Sequence, residues 1–198
     1  RHVRVGDADR GQHTPGVHQG GGTDVGRGVG ADVEHVAALQ ARIIASLPAE
    51  PVVVEIGHGD ASFLAALAEL NPRGRYVGFD PNGAADGTRN ISLRAELFDP
   101  RRHLAELKPD LLVSRHVLEH LESPLGFLQA VAFAASGAGR PARVYFEVPC
   151  ADRLQETGRT VDLYYEHNSQ FTTRSFTAML EACGARDASR PLGGSRLP

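Results

Sequence analysis

VVVEIGHGDASFL, Val52 to Leu64, sets three valines, a glutamate and an isoleucine directly before two glycines separated by a histidine. A short apolar run without alternation suits a strand covered on both faces, as the central strands of parallel sheets are. Glu55 is the one charged residue inside that run. Glycine at 57 and 59 permits backbone angles that other residues resist and lets a ligand approach the main chain, while the following helix presents unpaired N–H groups. A tight turn with no ligand would also use such glycines, so the motif needs support from elsewhere in the chain.

That support comes from the alternation of elements. Val33, Val36, Ala37, Gln40, Ile43, Ile44 and Leu47 trace one helical face, Asp32 is its candidate N-cap, and Pro48 ends it. After the glycines the pattern predicts a helix from about Ala61 to Leu70 and a strand at Tyr76 to Phe79. A weaker strand follows near Ile91 to Leu97, then a buried strand at Asp110 to Ser114, a helix at Pro124 to Ala135 and a strand at Val144 to Val148. Strands alternating with helices in this way predict an α/β fold, with a doubly wound, mainly parallel sheet and helices on both faces. In such a sheet the ligand lies beyond the carboxyl ends of the strands, where Gly57-His58-Gly59 falls. Asp80 ends the next strand roughly 20 residues further on, where doubly wound folds place an acid that accepts hydrogen bonds from ribose hydroxyls. A solvated loop aspartate is the alternative reading. Together the two features indicate an adenosine cofactor. The turn reads G-H-G-D-A-S, with serine at the place of the third dinucleotide-binding glycine, which leaves a nicotinamide cofactor as the second choice.

Composition narrows the class. The chain has 198 residues, enough for one core, with 21 basic and 24 acidic side chains and a formal net charge of −3. Its basic residues form no cluster longer than Arg101-Arg102, so a nucleic-acid partner is not expected. Two cysteines, Cys150 and Cys183, are too few for a disulfide framework or a four-thiolate zinc site, and a reduced, cytoplasmic setting is expected. No apolar run approaches a membrane span, and no signal-peptide layout opens the chain. Residues 1–31 are glycine-dense and lack Leu, Ile, Phe and Tyr, so disorder is expected there, with His2, His13 and His18 scattered without ligand spacing. The chain has no initiator methionine, which suggests a fragment or an opening foreign to the fold.

These residues resemble the class I S-adenosylmethionine-dependent methyltransferases, a Rossmann-like family. Glu55-Ile56-Gly57-His58-Gly59-Asp60-Ala61 matches the family's acid, apolar residue and G-x-G-x-G turn, with alanine for the last glycine. Leu112 to His120 looks like its fourth strand and following turn. The resemblance spans roughly Val33 to Gly184. It implies S-adenosylmethionine as cofactor, Glu55, Gly57 and Gly59 at its amino-acid part and ribose, Asp80 at the ribose hydroxyls and Asp99 at the adenine amino group. Arg115 and His116 would lie near the methionine end; Arg115 could equally meet a substrate anion or pair with a carboxylate. The expected organisation is residues 32–184 as the cofactor-binding domain and 185–198 as a flexible tail, with the final sheet strands missing and the Val144 to Val148 strand left as an open edge.

Tyr164-Tyr165-Glu166-His167-Asn168-Ser169-Gln170-Phe171-Thr172 resembles a stretch of the sugar C-methyltransferase subgroup, although that subgroup's zinc module and C-terminal part are not visible. The resemblance implies His167 as general base, with Glu166 and Tyr164 beside it, acting on a carbon next to a ketone of a nucleotide-linked sugar. The chemistry is consistent, since a carbon acid must lose a proton before attacking a methyl group and imidazole titrates near neutral pH. The same Glu-His pair also reads as a capping and packing device, with Thr172 or Thr173 starting the helix that carries Phe176, Leu180 and Cys183. His116, Glu119 and His120 have the spacing of metal ligands on a helix, but the sequence shows no second ligand segment, so no metal is expected. Beside the expected methyltransferase of a small molecule stand two alternatives, a non-catalytic cofactor-binding module and a nicotinamide oxidoreductase.

Overall fold

The computed structural model describes residues 3–7, 26–83, 85–137, 143–152 and 167–185. Its elements in chain order are β1 (Val3–Asp7), α1 (Gly26–Ala45), β2 (Val52–Ile56), α2 (Ser62–Leu70), β3 (Arg75–Phe79), β4 (Ile91–Arg94), α3 (Pro100–Leu107), β5 (Leu111–Arg115), a 3-10 turn (Leu118–His120), α4 (Pro124–Gly137), β6 (Arg143–Val148) and α5 (Thr173–Ala182). The strands form one sheet in the order β1-β6-β5-β2-β3-β4, and every pair is parallel. From β2 the chain winds outward through β3 and β4, then returns to β5 and winds the other way. The strand order therefore reverses between β2 and β5, which makes their carboxyl ends the natural crevice of a doubly wound sheet.

Side chains alternate across the sheet, so each strand feeds two cores. Val53, Tyr76, Leu111, Val113 and Tyr145 join Leu39 and Ile43 of α1 and Phe63, Leu64 and Leu67 of α2 on one face. On the opposite face Val54, Ile56, Val77, Phe79 and Leu112 meet Leu104 and Leu107 of α3 and Val131 of α4. Phe146 and Val148 extend that side toward Phe171, Phe176 and Leu180 of the last segment. Tyr76 also ties the layers together, because its buried hydroxyl donates to the Leu67 and Asn71 carbonyls where α2 ends.

Several expectations change. α1 begins at Gly26, not at Asp32, and Val3–Asp7 forms a strand inside the stretch expected to be disordered. Backbone pairing explains the strand, since ladder hydrogen bonds to Arg143–Val148 need no large side chains. The same pairing closes the edge that was expected to stand open. On α1 the inward position belongs to Leu39, and Ala37 is exposed. Helix α3 was not anticipated, although Asp99 caps it through Arg101 N–H and Arg102 N–H and Pro100 occupies its first turn. Among the described residues no helix is long and apolar enough to cross a membrane. The expected tail beyond Ala185 lies outside the described residues.

Gly57 closes β2 at φ +74°, and its N–H donates to the Phe79 carbonyl at 2.7 Å. A Cβ built on Gly57 would run into Cγ2 of Val117, which follows β5. The glycine thus admits the neighbouring turn as well as any ligand. Replacing Gly57 with Ala should destabilise the chain by about 1–3 kcal/mol from backbone strain and overpacking. In urea titrations the Gly57→Ala/Val117→Ala double variant should recover the overpacking part and keep the strain; simple additivity of the two single changes would refute the contact.

Candidate functional site

Gly59 has φ +54°, and a Cβ placed on it would meet nothing within 4 Å, so the space above this backbone is open. Its N–H donates to Asp80 Oδ2 at 3.0 Å, and Asn82 N–H donates to Oδ1 of the same carboxylate at 2.9 Å. The two features singled out separately in the sequence are therefore bonded to each other. Ala61 at φ 61° leads into α2, and Asp60 Oδ1 accepts from Ser62 N–H, which holds the Asp60 carboxyl below its usual range.

His58, between the two glycines, turns away from that open space. It is buried, and its Nδ1 lies 3.0 Å from the Gly59 carbonyl. Its ring takes the room that side chains at Gly78 and Gly83 would need: added Cβ atoms there would come within 2.6 and 2.5 Å of it. Gly78 inside an apolar strand was the sequence signal for this close approach, and it went unread.

Glu55 faces the same side of the sheet as Val53 and stands opposite Gly78 in the β2–β3 register. It is 2% exposed, and its Oε2 has no hydrogen-bond partner among the described residues. Burial pushes its carboxyl up to about 8, against a partial pull downward from Arg115. A buried acid in this condition is held neutral until a cation arrives.

Arg115 donates from Nε to Glu147 Oε2 at 3.0 Å, and its guanidinium lies 4.6 Å from the centre of the Phe63 ring. Tyr145 donates its hydroxyl to the same Glu147 oxygen at 3.0 Å. His116, at φ 53°, places Nε2 3.3 Å from Glu147 Oε1 and Nδ1 3.5 Å from Glu119 Oε1. Those two hydrogen bonds raise the imidazole to about 9. Burial would push Glu147 up, but the hydrogen bonds and charges of His116 and Arg115 outweigh it and hold the carboxyl at about 2. Glu147 is thus the hub that sequence reasoning missed, and its signal was a lone charge in the apolar run Val144 to Val148. Arg115 and His116, expected at the cofactor, are both engaged by Glu147.

Asp99, expected at the adenine, caps α3 with Oδ1, while Phe98 and His103 beside it pack on Phe79. His167 comes back to the turn after β5: its ring centre lies 4.8 Å from that of His120 in an edge-on arrangement. Ser169 N–H donates to the Glu119 carbonyl at 3.1 Å, and the Asn168 side-chain amide donates to the His120 carbonyl at 2.7 Å. Thr172 caps α5 by accepting from Ser175 N–H, as one sequence reading had it. Tyr164 and Glu166 lie outside the described residues.

A family model described as a methyltransferase domain matches residues 31–189. Among solved structures, a chain of the Haloferax volcanii complex between the Trm112 methyltransferase activator and a methyltransferase superposes with a TM-score of 0.52 at 17% identity, over 81% of this chain and 73% of that one. Human N-acetylserotonin methyltransferase in complex with SAM gives 0.56 at 16% identity, over 79% of this chain and 49% of its own, so this chain spans about half of that protein. The plantazolicin methyltransferase BpumL with SAH gives 0.53 at 14% identity, over 75% and 61%. No curated protein sequence matches significantly.

Glu55 supplies the prediction. Its folded-state acidity lies above the unfolded value, so between about pH 4.5 and 8 the unfolded chain releases a proton that the folded chain keeps, and stability falls as pH rises. Glu55→Gln should remove that fall, leaving the ligand-free variant more stable than the parent at pH 8 and nearly equal to it at pH 4. Urea unfolding at the two pH values checks this, and an unchanged pH slope would mean that Glu55 is ionised in the folded chain.

Proposed function

This chain belongs to the methyltransferase domain family, and from that premise we propose that it moves a methyl group from S-adenosylmethionine to a small-molecule acceptor. The observation that carries the reading is the Gly59 N–H to Asp80 bond, made at the crevice where the strand order reverses and beneath open space. When bound, the cofactor supplies an electrophilic methyl group on a positively charged sulfur. The residues present fit it. Asp80 has carboxylate capacity for ribose hydroxyls beyond the two amides it already binds, and Gly59 exposes main chain beside it. Asp99 uses Oδ1 for its helix and leaves Oδ2 for an adenine amino group. Glu55, buried with one unpartnered oxygen, is suited to the ammonium of the amino-acid part, which would restore its charge. Arg115 and His116 contribute by fixing Glu147 and the turn after β5.

For the acceptor, the Tyr164 to Thr172 segment favours a carbon beside a ketone of a nucleotide-linked sugar. His167 would take the proton from that carbon onto a ring nitrogen, leaving the carbon's electron pair available to the methyl group that the bound cofactor would supply. Tyr164 donates to the developing enolate oxygen, and Glu166 supports the imidazole. Holding donor and acceptor in line supplies several kcal/mol of the barrier. The location of His167 supports this reading, because its partner His120 belongs to the turn whose Val117 seats against Gly57.

Calorimetric titration with S-adenosylhomocysteine tests the cofactor. Saturable binding is expected, with none for NADH, and Asp80→Ala should weaken it about 10- to 100-fold through lost charge-assisted hydrogen bonds. NADH binding in its place would favour the oxidoreductase, and binding of neither by a folded chain would leave only the non-catalytic alternative. With nucleotide-linked ketosugars, His167→Ala should lose turnover while keeping S-adenosylhomocysteine affinity; a variant that keeps turnover would remove His167 from catalysis.

A further inference from the structure

The sequence offers His116, Glu119 and His120 as possible metal ligands and no second segment to complete a site; the fold supplies that segment. Glu119 and His120 sit consecutively on the 3-10 turn after β5, and His167 arrives from the chain leading into α5. Each of the three offers one ligand atom, and these atoms all lie within 4.8 Å of one another. Two backbone-directed hydrogen bonds hold the segments together, Ser169 N–H to the Glu119 carbonyl and the Asn168 amide to the His120 carbonyl. The parallel bridge between Cys150 and Phe171 anchors the incoming segment at the end of β6. Glu119 is 1% exposed, and its Oε2 has no hydrogen-bond partner among the described residues, an expensive condition for a carboxylate oxygen unless something positive meets it. Its other oxygen is met by His116 Nδ1 at 3.5 Å, the kind of outer contact that orients a ligating carboxylate.

We propose that Glu119, His120 and His167 form a binding site for a divalent transition-metal ion, Zn2+, Mn2+ or Fe2+ in chemical class. Two imidazoles and one carboxylate suit these ions better than Mg2+ or Ca2+, which prefer oxygen ligands throughout. Ligand atoms about 2.1 Å from a tetrahedral metal stand about 3.4 Å apart, so a pair at the 4.8 Å limit would draw in by about 1.4 Å on loading. Three protein ligands leave coordination positions open for an oxygen of water or of the acceptor. The site itself stands without the methyl-transfer reading; only the role toward the acceptor rests on it. In the metal-loaded chain His167 is a ligand and not the base: the cation would draw charge from an acceptor oxygen, and a hydroxide at an open coordination position would take the proton from the carbon.

The test is titration of the purified, metal-stripped chain with Co2+, followed by its visible absorption, and with Zn2+ by calorimetry. One ion per chain is expected. Glu119→Gln and His120→Ala should each weaken binding more than about 100-fold, and His116→Ala about 10- to 100-fold as an outer contact. His120 is exposed, so its variant should melt like the parent without metal and separate lost ligation from lost folding. A chain with His2, His13 and His18 all replaced by Ala should bind as the parent does. Binding that disappears in that triple variant, survives in His120→Ala, or is absent from a folded chain would overturn the site. S-adenosylhomocysteine affinity, measured on the same samples without metal, reports separately on the cofactor reading.

Discussion

Arg115 joins β2, β5, β6 and α2 at the point where the sheet changes direction. Its guanidinium bonds Glu147 on the neighbouring strand, rests on the Phe63 ring of α2 and attracts Glu55 across β2. An ion pair this enclosed gives little net stability when set against apolar replacements, yet removing one partner typically costs about 3–5 kcal/mol, because the other charge is stranded. The value of the arrangement is therefore positional. Glu147, held ionised, fixes Tyr145 and His116, and His116 in turn meets Glu119. A polar path runs from Arg115 through Glu147 and His116 to Glu119, the residue before His120.

The cost of this path sits at Glu55. Arg115 is already committed to Glu147, so Glu55 is left buried with incomplete compensation, and burial wins over attraction at its carboxyl. Natural proteins tolerate such a deficit mainly where a ligand later makes it good. The open space over Gly59 and the pairing of His58 with Gly78 and Gly83 show the same economy: the bulky side chain is folded under the loop, so the upper surface stays clear.

Much of the fold was legible because a central parallel strand leaves an unmistakable trace, an apolar run such as Val52 to Ile56 or Leu111 to Ser114. Elements that depend on partners left weaker traces. α1 extends through Gly26, Gly28 and Gly30 against their helix propensity, so its start could not be placed from local preference. β1 has five residues in a glycine-rich context and is defined only by pairing with a distant strand. α3 buries just His103, Leu104 and Leu107 among charged neighbours, and its start signal, Asp99-Pro100, went unread because Asp99 was considered only as an adenine contact. In the site, Gly59 and Asp80 were readable because doubly wound folds repeat that spacing. Glu147 and the meeting of Glu119, His120 and His167 were hidden, since both join segments far apart in the chain.

The parallel register of β1 on β6 also bears on how the chain acquires its structure. Val3 pairs with Val144, a separation of about 140 residues, and contacts so distant in sequence slow folding because loop closure precedes any gain. Synthesis runs from β1 toward β6, so the first of the two strands is made about 140 residues before its partner. Until β6 has been made, β1 has no strand to pair with, and their pairing spans a longer stretch of chain than any other strand pair of the described sheet.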